Sequence, residues 1–350
     1  MNNNIMIAMS GGVDSAVSAL LASRNRVASG VTMRLAFECG QHQEMAAQDI
    51  KDAAKTCEAL GIPHFVADLA KEFRALVVDA FISAYENGKT PNPCIDCNKE
   101  IKFGALLRFA KERGYDRLAT GHYARIERDT NARFLLRRAK DSAKDQTYVL
   151  YTLSQDVLSA VEFPLGELSK TEVRELASEQ GFVSAHKSES QDICFVPNGD
   201  YVALIERYGK KPILPGPFLS TDGKPLGEHR GVVHYTVGQR KGLGIALGRP
   251  AFVVAKSAAD NTVTLGENED LFSRRLTVEH LNFIPFDKLS SSMTLLAKAR
   301  YRQEAATARV EQTGEDELTV EFDTPQRAIA AGQSLVLYDG DYVIGGGKIK

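Results

Sequence analysis

The chain has 350 residues, of which 43% are hydrophobic and 25% are charged, and its formal net charge is −2. This composition is typical of soluble globular proteins and excludes disordered, collagen-like and coiled-coil chains, while the length predicts two or three domains. No apolar run approaches the roughly 20 residues of a membrane span. Because there are only five cysteines and no signal-peptide pattern, we expect free thiols and a cytoplasmic location.

The first part of the chain alternates between predicted strands and predicted helices. Predicted strands lie at Asn4–Met9, Val27–Met33, Phe65–Asp68 and Arg117–Thr120. Predicted helices lie at Asp14–Ala22, Gln48–Leu60, Lys71–Tyr85, Ile101–Arg113 and Lys170–Glu179. This alternation indicates an α/β fold with a parallel, doubly wound, nucleotide-binding sheet that has helices on both faces.

The pattern changes near Pro212, where proline and glycine become frequent and short β-rich runs replace helices. The runs in the middle part are Val232–Val237 and Phe252–Ala255, followed by Leu295–Tyr301, Thr307–Gln312, Leu318–Phe322 and Ser334–Tyr338. We therefore predict an α/β domain at 1–205, a small β-rich central module at 206–272 and a barrel-like all-β domain at 273–350.

A Ser/Gly-rich segment, SGGVDS at Ser10–Ser15, follows the first strand and begins a helix. Glycines allow backbone N–H groups to approach phosphate oxygens, and the helix N-terminus favours an anion. Asp14 would repel phosphate, so we expect Mg²⁺ to accompany the nucleotide. The alternative is a plain turn before a helix. The segment lacks the glycine-lysine pattern of P-loop NTPases and the dinucleotide-binding pattern.

This segment resembles the loop of ATP pyrophosphatases, the PP-loop superfamily, which split ATP between the α and β phosphates. The resemblance implies that a substrate is activated by adenylation. It does not identify the substrate.

Two thiols, Cys94 and Cys97, precede a predicted helix and lie near Lys99 and Lys102. A thiol near a helix N-terminus and a lysine ionises easily, which makes Cys97 a candidate nucleophile. A redox pair or half of a zinc site has the same spacing. Cys194 forms a second thiol site, whereas Cys57 lies on a predicted helix and is expected to be packed. Cys39 and His42 supply too few ligands for a metal site.

Basic residues are concentrated in two segments despite the nearly neutral total. Residues 97–145 contain 13 Lys and Arg against 7 Asp and Glu, a difference of +6, and residues 207–250 contain 8 against 2, also +6. These segments favour a polyanionic partner. The alternative is a set of solvated surfaces.

Several longer motifs together resemble the family of tRNA-specific 2-thiouridylases. They are TPNPCIDCNKEIKFGALL from Thr90, ATGHYAR from Ala119, AKDQTYVLY from Ala143, FPLGELSKTEVRELA from Phe163, SQDICF from Ser190, HYTVGQRKGLGI from His234, RYRQ from Arg300 and DTPQRAIAAGQS from Asp323. The order and spacing of these motifs extend through the whole chain.

The resemblance implies an ATP-dependent sulfurtransferase that adenylates the C2 carbonyl of the wobble uridine in tRNA and transfers sulfur from a cysteine persulfide. It implies that Cys97 is the nucleophile and Cys194 carries the persulfide. The implied ATP contacts are Ala8, Met9, Ser10, Gly11, Gly12, Val13, Asp14, Ser15, Met33 and Gly121. The implied tRNA contacts are Asn92, His122, Lys144, Asp145, Gln146, Arg300, Tyr301 and Gln333.

The chain departs from the common form of this family at Cys94, where an aspartate is usual. A thiol replaces an acid–base carboxylate poorly. Cys94, Cys97 and Cys194 are therefore candidate ligands of a [4Fe–4S] cluster, with a tolerated substitution or a resolving thiol as alternatives.

The expected partners are tRNA and a sulfur-donor protein, such as a sulfur-relay protein or a cysteine desulfurase. We expect no association with a membrane. Two other functions remain open from the residues themselves. One is an ATP-dependent amidotransferase or ligase of the same superfamily. The other is a non-catalytic RNA-binding or iron–sulfur protein.

Overall fold

The structure, a computed structural model, describes residues 4–35, 41–186, 193–196 and 199–350. Cys39 and the side chain of His42, which were suggested as a pair, lie outside what the structure describes. The chain forms two compact units. The first comprises Met1–Val77, Cys94–Gln191 and Asp341–Ile344, and the second comprises Val78–Pro93, Asp192–Gly340 and Gly345–Lys350. The three-domain division remains a prediction.

The first unit is built on a five-stranded parallel sheet. Its strands are β1 (Asn4–Ala8), β2 (Val27–Arg34), β3 (His64–Asp68), β4 (Arg117–Ala119) and β7 (Val161–Glu162), in the order β3-β2-β1-β4-β7. Ile5, Met6 and Ile7 are fully buried, as expected for a central strand that is covered on both faces. The predicted parallel sheet is therefore confirmed, and its order reverses at β1.

Helices connect these strands along the chain. In the first unit they are α1 (Val13–Ala22), α2 (Gln41–Ala59), α3 (Ala70–Phe73), α5 (Pro93–Asp96), α6 (Leu106–Lys111), α7 (Gln155–Ala160) and α8 (Lys170–Glu179). Two stretches with π-type hydrogen bonds, Arg74–Val78 and Cys97–Ala105, interrupt the longer helical runs. The predicted helix Ile101–Arg113 thus begins earlier and contains Cys97. An antiparallel hairpin, β5 (Ala124–Arg128) and β6 (Phe134–Arg138), was not predicted.

The second unit contains two helices and two β-structures. The helices are α4 (Asp79–Glu86) and α9 (Tyr201–Tyr208). A four-stranded sheet has the order β10-β11-β8-β9, with β8 at Gly216–Ser220, β9 at Pro225–His229, β10 at Phe252–Ser257 and β11 at Thr262–Gly266. Phe218, Tyr235 and Val253 belong to the hydrophobic core that it covers.

The C-terminal strands form a closed six-stranded antiparallel barrel. They are β12 (Phe272–Phe283), β13 (Met293–Lys298), β14 (Ala306–Gly314), β15 (Glu317–Arg327), β16 (Ser334–Asp339) and β17 (Tyr342–Ile349). Their order is β12-β15-β14-β13-β16-β17, and pairing of β17 with β12 closes the barrel. The predicted barrel-like region is confirmed.

One predicted strand is wrong. Val232–His234 forms a short 3₁₀ helix instead of a strand. It follows Gly231, whose φ of 123° turns the chain, and it buries Val232 and Val233. An alternating apolar pattern over so few residues suits a buried helical turn as well as a strand, and the tertiary packing decides.

No helix of the described residues is long and apolar enough to cross a membrane.

We predict that Gly30→Ala destabilises the first unit. A Cβ at Gly30 would overlap Sγ of Cys57 and lie 3.1 Å from Cγ of Met9, because α2 packs closely on β2 at this glycine. Overpacking of this kind costs about 1–3 kcal/mol of the free energy of unfolding. Urea denaturation should show this loss, and adding Cys57→Ala should recover part of it. If the losses in the free energy of unfolding of Gly30→Ala and Cys57→Ala simply add in the double variant, the predicted overlap is contradicted.

Candidate active site

The Ser10–Ser15 loop lies at the carboxyl end of β1 and is held together by the hydroxyl group of Ser15. This oxygen accepts a hydrogen bond from the backbone N–H of Ser10 at 3.1 Å and donates to the carbonyl of Gly12 at 2.9 Å. The hydroxyl groups of Ser10 and Ser15 are 3.2 Å apart. The loop therefore has a defined shape, in contrast to a loose turn.

The two glycines of the loop serve different purposes. Gly11 has a φ of +72°, and a Cβ there would lie 2.7 Å from the carbonyl oxygen of Asp49. Gly12 is the N-cap of α1 and provides no side-chain cap. The first N–H groups of α1 therefore have no capping side chain, which is the arrangement of an anion site at a helix N-terminus.

Gly121 brings the end of β4 against this loop. A Cβ at Gly121 would lie 3.0 Å from the carbonyl carbon of Asp14 and 3.1 Å from the backbone nitrogen of Ser15. Because the strand order reverses at β1, the carboxyl ends of β1 and β4 form the crevice in which α/β sheets bind ligands. The structure thus brings together the loop and Gly121. Met9 is buried and Met33, on β2, is half-buried.

The carboxylate of Asp14 already has a cationic partner in the protein. Nζ of Lys170 lies 2.7 Å and 2.9 Å from its two oxygens, and the hydroxyl group of Tyr123 donates to it at 2.8 Å. The sequence predicted only a metal ion as the group that compensates this charge. The structure shows a lysine in this role.

Helix packing explains why Lys170 reaches Asp14. Val13 and Val17 of α1 pack with Val173 and Ala177 of α8 in one hydrophobic core. A capping box between Ser169 and Glu172 begins α8 at Lys170, one residue after the cap. The motif around Lys170 was recognised in the sequence, but nothing local indicated its partner 156 positions away.

The Cys94 and Cys97 thiols differ from the prediction in their acidity. Cys97 is 9% exposed, whereas Cys94 is exposed. Loss of water around the sulfur raises the pKa of both thiols, and the nearby charge of Lys102 opposes this rise without reversing it. The expected lowering of the pKa of Cys97 is therefore wrong, because burial outweighs the helix and the lysine. Lys99 is paired with Glu100 instead.

The predicted tRNA contacts of the first unit have internal hydrogen bonds. Asp145 accepts from the backbone of Ala139 at 3.1 Å, and Gln146 accepts from the backbone of Tyr123 at 2.9 Å. His122 is only 7% exposed. Lys144 is half-buried on the same turn. Any contact of these residues with tRNA remains a prediction.

The remaining predicted residues lie in the second unit. The amide of Gln333 donates to the carbonyl of Thr90 at 2.7 Å, and the guanidinium of Arg300 donates to the carbonyls of Val237 and Ala328. Tyr301 is 40% exposed, and Asn92 is half-buried.

Cys194 is exposed beside an aromatic anchor in the second unit. The ring of the next residue, Phe195, meets Phe81 edge-on, with centroids 5.3 Å apart. This contact holds the chain on the C-terminal side of the thiol.

A cavity of about 760 Å³ lies beside Arg300, within the second unit. Residues of the motif that begins at His234 form part of its wall, together with α9. The lining includes Tyr201, Glu206, Arg230, His234, Thr236 and Gln239. The sequence motif predicted no cavity, because its residues meet those of α9 only in the folded chain.

No cluster of three or more His, Cys, Asp or Glu residues that could hold a metal ion occurs among the described residues. The [4Fe–4S] hypothesis for Cys94, Cys97 and Cys194 therefore receives no support. The hypothesis rested on the presence of Cys94 where the family usually has an aspartate.

Three protein-family models match the chain in sequence. The tRNA methyl transferase HUP domain matches residues 3–198, the tRNA methyl transferase PRC-barrel domain matches 203–267, and the aminomethyltransferase β-barrel domain matches 273–349. The tRNA-specific 2-thiouridylase MnmA of Lachnoclostridium phytofermentans is 45% identical over 354 residues, which cover 99% of this chain and 99% of that protein. The chain belongs to the MnmA family.

Other MnmA proteins are similar over the same extent. The tRNA-specific 2-thiouridylase MnmA of Clostridioides difficile is 44% identical, covering 100% of this chain and 99% of its own length. That of Treponema denticola is 42% identical, covering 99% and 97%. Full-length similarity to MnmA favours the predicted thiouridylase over the amide-forming ligase and the non-catalytic alternatives.

We predict that Cys57 resists alkylation in the native protein. Burial raises its pKa to about 11, so only about one molecule in a thousand carries a thiolate there at pH 8. Peptide mapping after treatment with iodoacetamide should show Cys57 modified at least about a hundredfold more slowly than the exposed Cys194. The same peptide in the urea-unfolded chain is the control. Equal alkylation rates at Cys57 and Cys194 in the native protein would show that Cys57 is accessible to solvent.

Proposed function

We propose that this protein is an ATP-dependent tRNA-uridine 2-sulfurtransferase, which replaces the C2 oxygen of the wobble uridine with sulfur. The observation that carries the proposal is that the Ser10–Ser15 loop and the Cys94–Cys97 thiols belong to the same α/β unit. An enzyme that forms amides has no need of the thiols. The full-length relatives named as tRNA-specific 2-thiouridylases support this assignment.

The loop residues would bind ATP for the first step. The uridine oxygen attacks the α-phosphorus, pyrophosphate leaves, and the oxygen then departs from the ring as part of AMP. The uncapped N–H groups of α1 and the hydroxyl group of Ser10 are suited to the phosphates. Four further residues would complete the nucleotide site: Ala8 at the end of β1, Met9 directly after it, Val13 at the start of α1 and Met33 on β2.

Asp14 would hold the Mg²⁺ that accompanies ATP, because its side chain is partly exposed, at 32%. On binding Mg²⁺, the carboxylate of Asp14 must either release Lys170 or contact Lys170 and the metal ion together. Either arrangement leaves an ammonium group next to the phosphates. Lys170 thus belongs to the proposed nucleotide site.

The sulfur step would use Cys97 and Cys194. In one route the terminal sulfur of a Cys194 persulfide attacks C2 and AMP leaves. The Cys97 thiolate then attacks Sγ of Cys194, the S–S bond breaks, the sulfur stays on C2, and a Cys97–Cys194 disulfide forms. In the other route the Cys97 thiolate attacks the inner sulfur of that persulfide. The persulfide bond breaks, hydrosulfide leaves to attack C2, and a Cys97–Cys194 disulfide remains, which a dithiol must reduce. A sulfur-donor protein would reload Cys194.

The tRNA would be bound through its anticodon loop, with the target base turned out of the stack. Asn92, His122, Lys144–Gln146, Arg300, Tyr301 and Gln333 are the proposed contacts. The excess of basic residues in 97–145 and 207–250 supports a polyanionic partner. We place the protein in the cytoplasm, with domains at 1–205, 206–272 and 273–350.

We predict that Cys97→Ser and Cys194→Ser each abolish formation of 2-thiouridine, while tRNA binding is retained. Both thiols handle sulfur, and neither carries the charge that binds phosphates. Mass spectrometry of tRNA nucleosides after incubation with ATP and a persulfide donor measures the product. Cys57→Ser is the matched control and should retain most of the activity, because Cys57 is buried in the core. Substantial thiolation by either of the first two variants would overturn the assignment.

Asp14→Asn should reduce tRNA-dependent release of pyrophosphate by about a hundredfold or more, since the variant loses the charge for Mg²⁺ and for Lys170. A coupled pyrophosphate assay measures this loss, and a filter-binding assay should show unchanged affinity for tRNA. Asp156→Asn is the control, because it removes an exposed carboxylate from α7 in the same unit. Normal pyrophosphate release by Asp14→Asn would contradict the placement of ATP at this loop.

A further inference from the structure

The helical segment that carries Cys97 departs from α-helical geometry. Cys97–Ala105 has π-type hydrogen bonds, and the series ends where the N–H of Leu106 donates to the carbonyl of Ile101. Bonds between residues five positions apart bring Lys102 to the turn directly after Cys97, on the same side. In an α-helix a residue five positions on would point about 140° away. Rare π-type turns are frequent at functional sites.

Lys102 is held in this place by His122. Its Nζ lies 3.4 Å from Nε2 of the imidazole ring. An ammonium group can only donate, so Nε2 accepts and the ring proton lies on Nδ1, which is 2.7 Å from the hydroxyl oxygen of Thr120. The rings of Phe103 and Phe163 pack against the imidazole, with centroids 5.7 Å and 5.9 Å away. The histidine is therefore a rigid acceptor for Lys102.

The histidine adds no charge of its own. Burial, together with the nearby Lys102, holds its pKa well below the usual value, so the ring is neutral at physiological pH. A neutral acceptor orients the ammonium group and leaves its positive charge available to other neighbours. Those neighbours are the two thiols.

Lys102 is the nearby cation that acts on both thiols. Its charge opposes the rise in the pKa of Cys94 and of Cys97, whereas Asp96 adds to that rise. Lys99 is closer to Cys97 in sequence, but it is 57% exposed and its Nζ lies 3.4 Å from Glu100. The two lysines of one helical segment thus have different surroundings.

We propose that Lys102, fixed by His122, is the cation that stabilises negatively charged sulfur at Cys97 and Cys94. Lys102 neither gives nor takes a proton in this role. The proton of the Cys97 thiol goes to solvent, and the ammonium group stabilises the sulfur anion that remains. In the sulfide-release route it would also stabilise the departing hydrosulfide, and this part of the inference rests on the proposed function.

Paired alkylating agents test the local charge at the thiols without any enzymatic reaction. Iodoacetate is an anion and iodoacetamide is neutral, so the ratio of their rates at one thiol reports the electrostatic potential there. Rates at Cys94 and Cys97 are followed in the full chain by peptide mass spectrometry, with fragmentation to separate the two sites. We expect Lys102→Met to lower the ratio of iodoacetate to iodoacetamide rates about five- to tenfold at both sites. Lys102→Arg should restore most of it.

Lys99→Met is the matched control, since it removes a charge from the same helical segment. Its rate ratio should equal that of the wild-type protein. A ratio that is unchanged in Lys102→Met, or that falls equally in Lys99→Met, would overturn the proposal. Lys102→Gln serves the same comparison if the methionine variant does not fold, as judged by circular dichroism.

A second measurement separates this inference from the proposed function. Lys102→Met should lose about a hundredfold in the single-turnover rate of tRNA thiolation while tRNA-dependent release of pyrophosphate continues. Loss of both activities in a folded variant would contradict a role confined to sulfur. If the wild-type protein releases no pyrophosphate with tRNA, the proposed function fails, and the alkylation ratios still decide the role of Lys102.

Discussion

The close contact between Gly121 and the loop after β1 is the constraint on which the rest of the proposed site depends. A single added carbon at Gly121 would meet the backbone of Asp14 and Ser15 at 3.0 Å and 3.1 Å. Because backbone atoms cannot move aside as a flexible side chain can, the two strand ends are held at a fixed separation. The residues that follow β4, His122 and Tyr123, are positioned by the same contact.

Two lysines of the first unit lie near groups that can carry negative charge. Lys170, on α8, is paired with Asp14, and the charge of Lys102, in the π-type segment that begins at Cys97, opposes the rise in the pKa of that thiol. Burial makes an uncompensated charge costly, so both lysines have a physical reason to be there. The proposed adenylation and sulfur steps would each use one of these pairs.

The polar residues proposed to contact tRNA also shape the backbone around them. Asp145, Gln146 and Gln333 each accept or donate a hydrogen bond to a main-chain group of another segment. Gln146 bonds the backbone of Tyr123, whose hydroxyl group bonds Asp14. A continuous set of contacts therefore connects the turn at Lys144–Gln146 with the Ser10–Ser15 loop, within a single unit.

The sequence by itself determined the parallel sheet, the Ser10–Ser15 loop and the all-β, barrel-like character of the C-terminal region. Each of these follows from short-range information, namely apolar periodicity, glycine at a turn and a helix-starting residue. The family also follows from the sequence, since its motifs occur in order through the chain. The predicted helix Lys170–Glu179 coincides with α8, and the structure shows that a capping box between Ser169 and Glu172 begins it.

Only the tertiary structure decided the partners and the acidity of these groups. Lys170 meets Asp14 because α1 and α8 share a core, and no local pattern encodes a contact between residues 156 positions apart. The pKa of Cys97 rises because surrounding atoms exclude water, whereas the neighbouring lysines alone predicted the opposite. Val232–His234 is a further example. A strand and a helical turn could both bury its two valines, so the packing of the whole fold selected the helical turn. Burial and long-range packing depend on the whole fold, which a local pattern of residues does not contain.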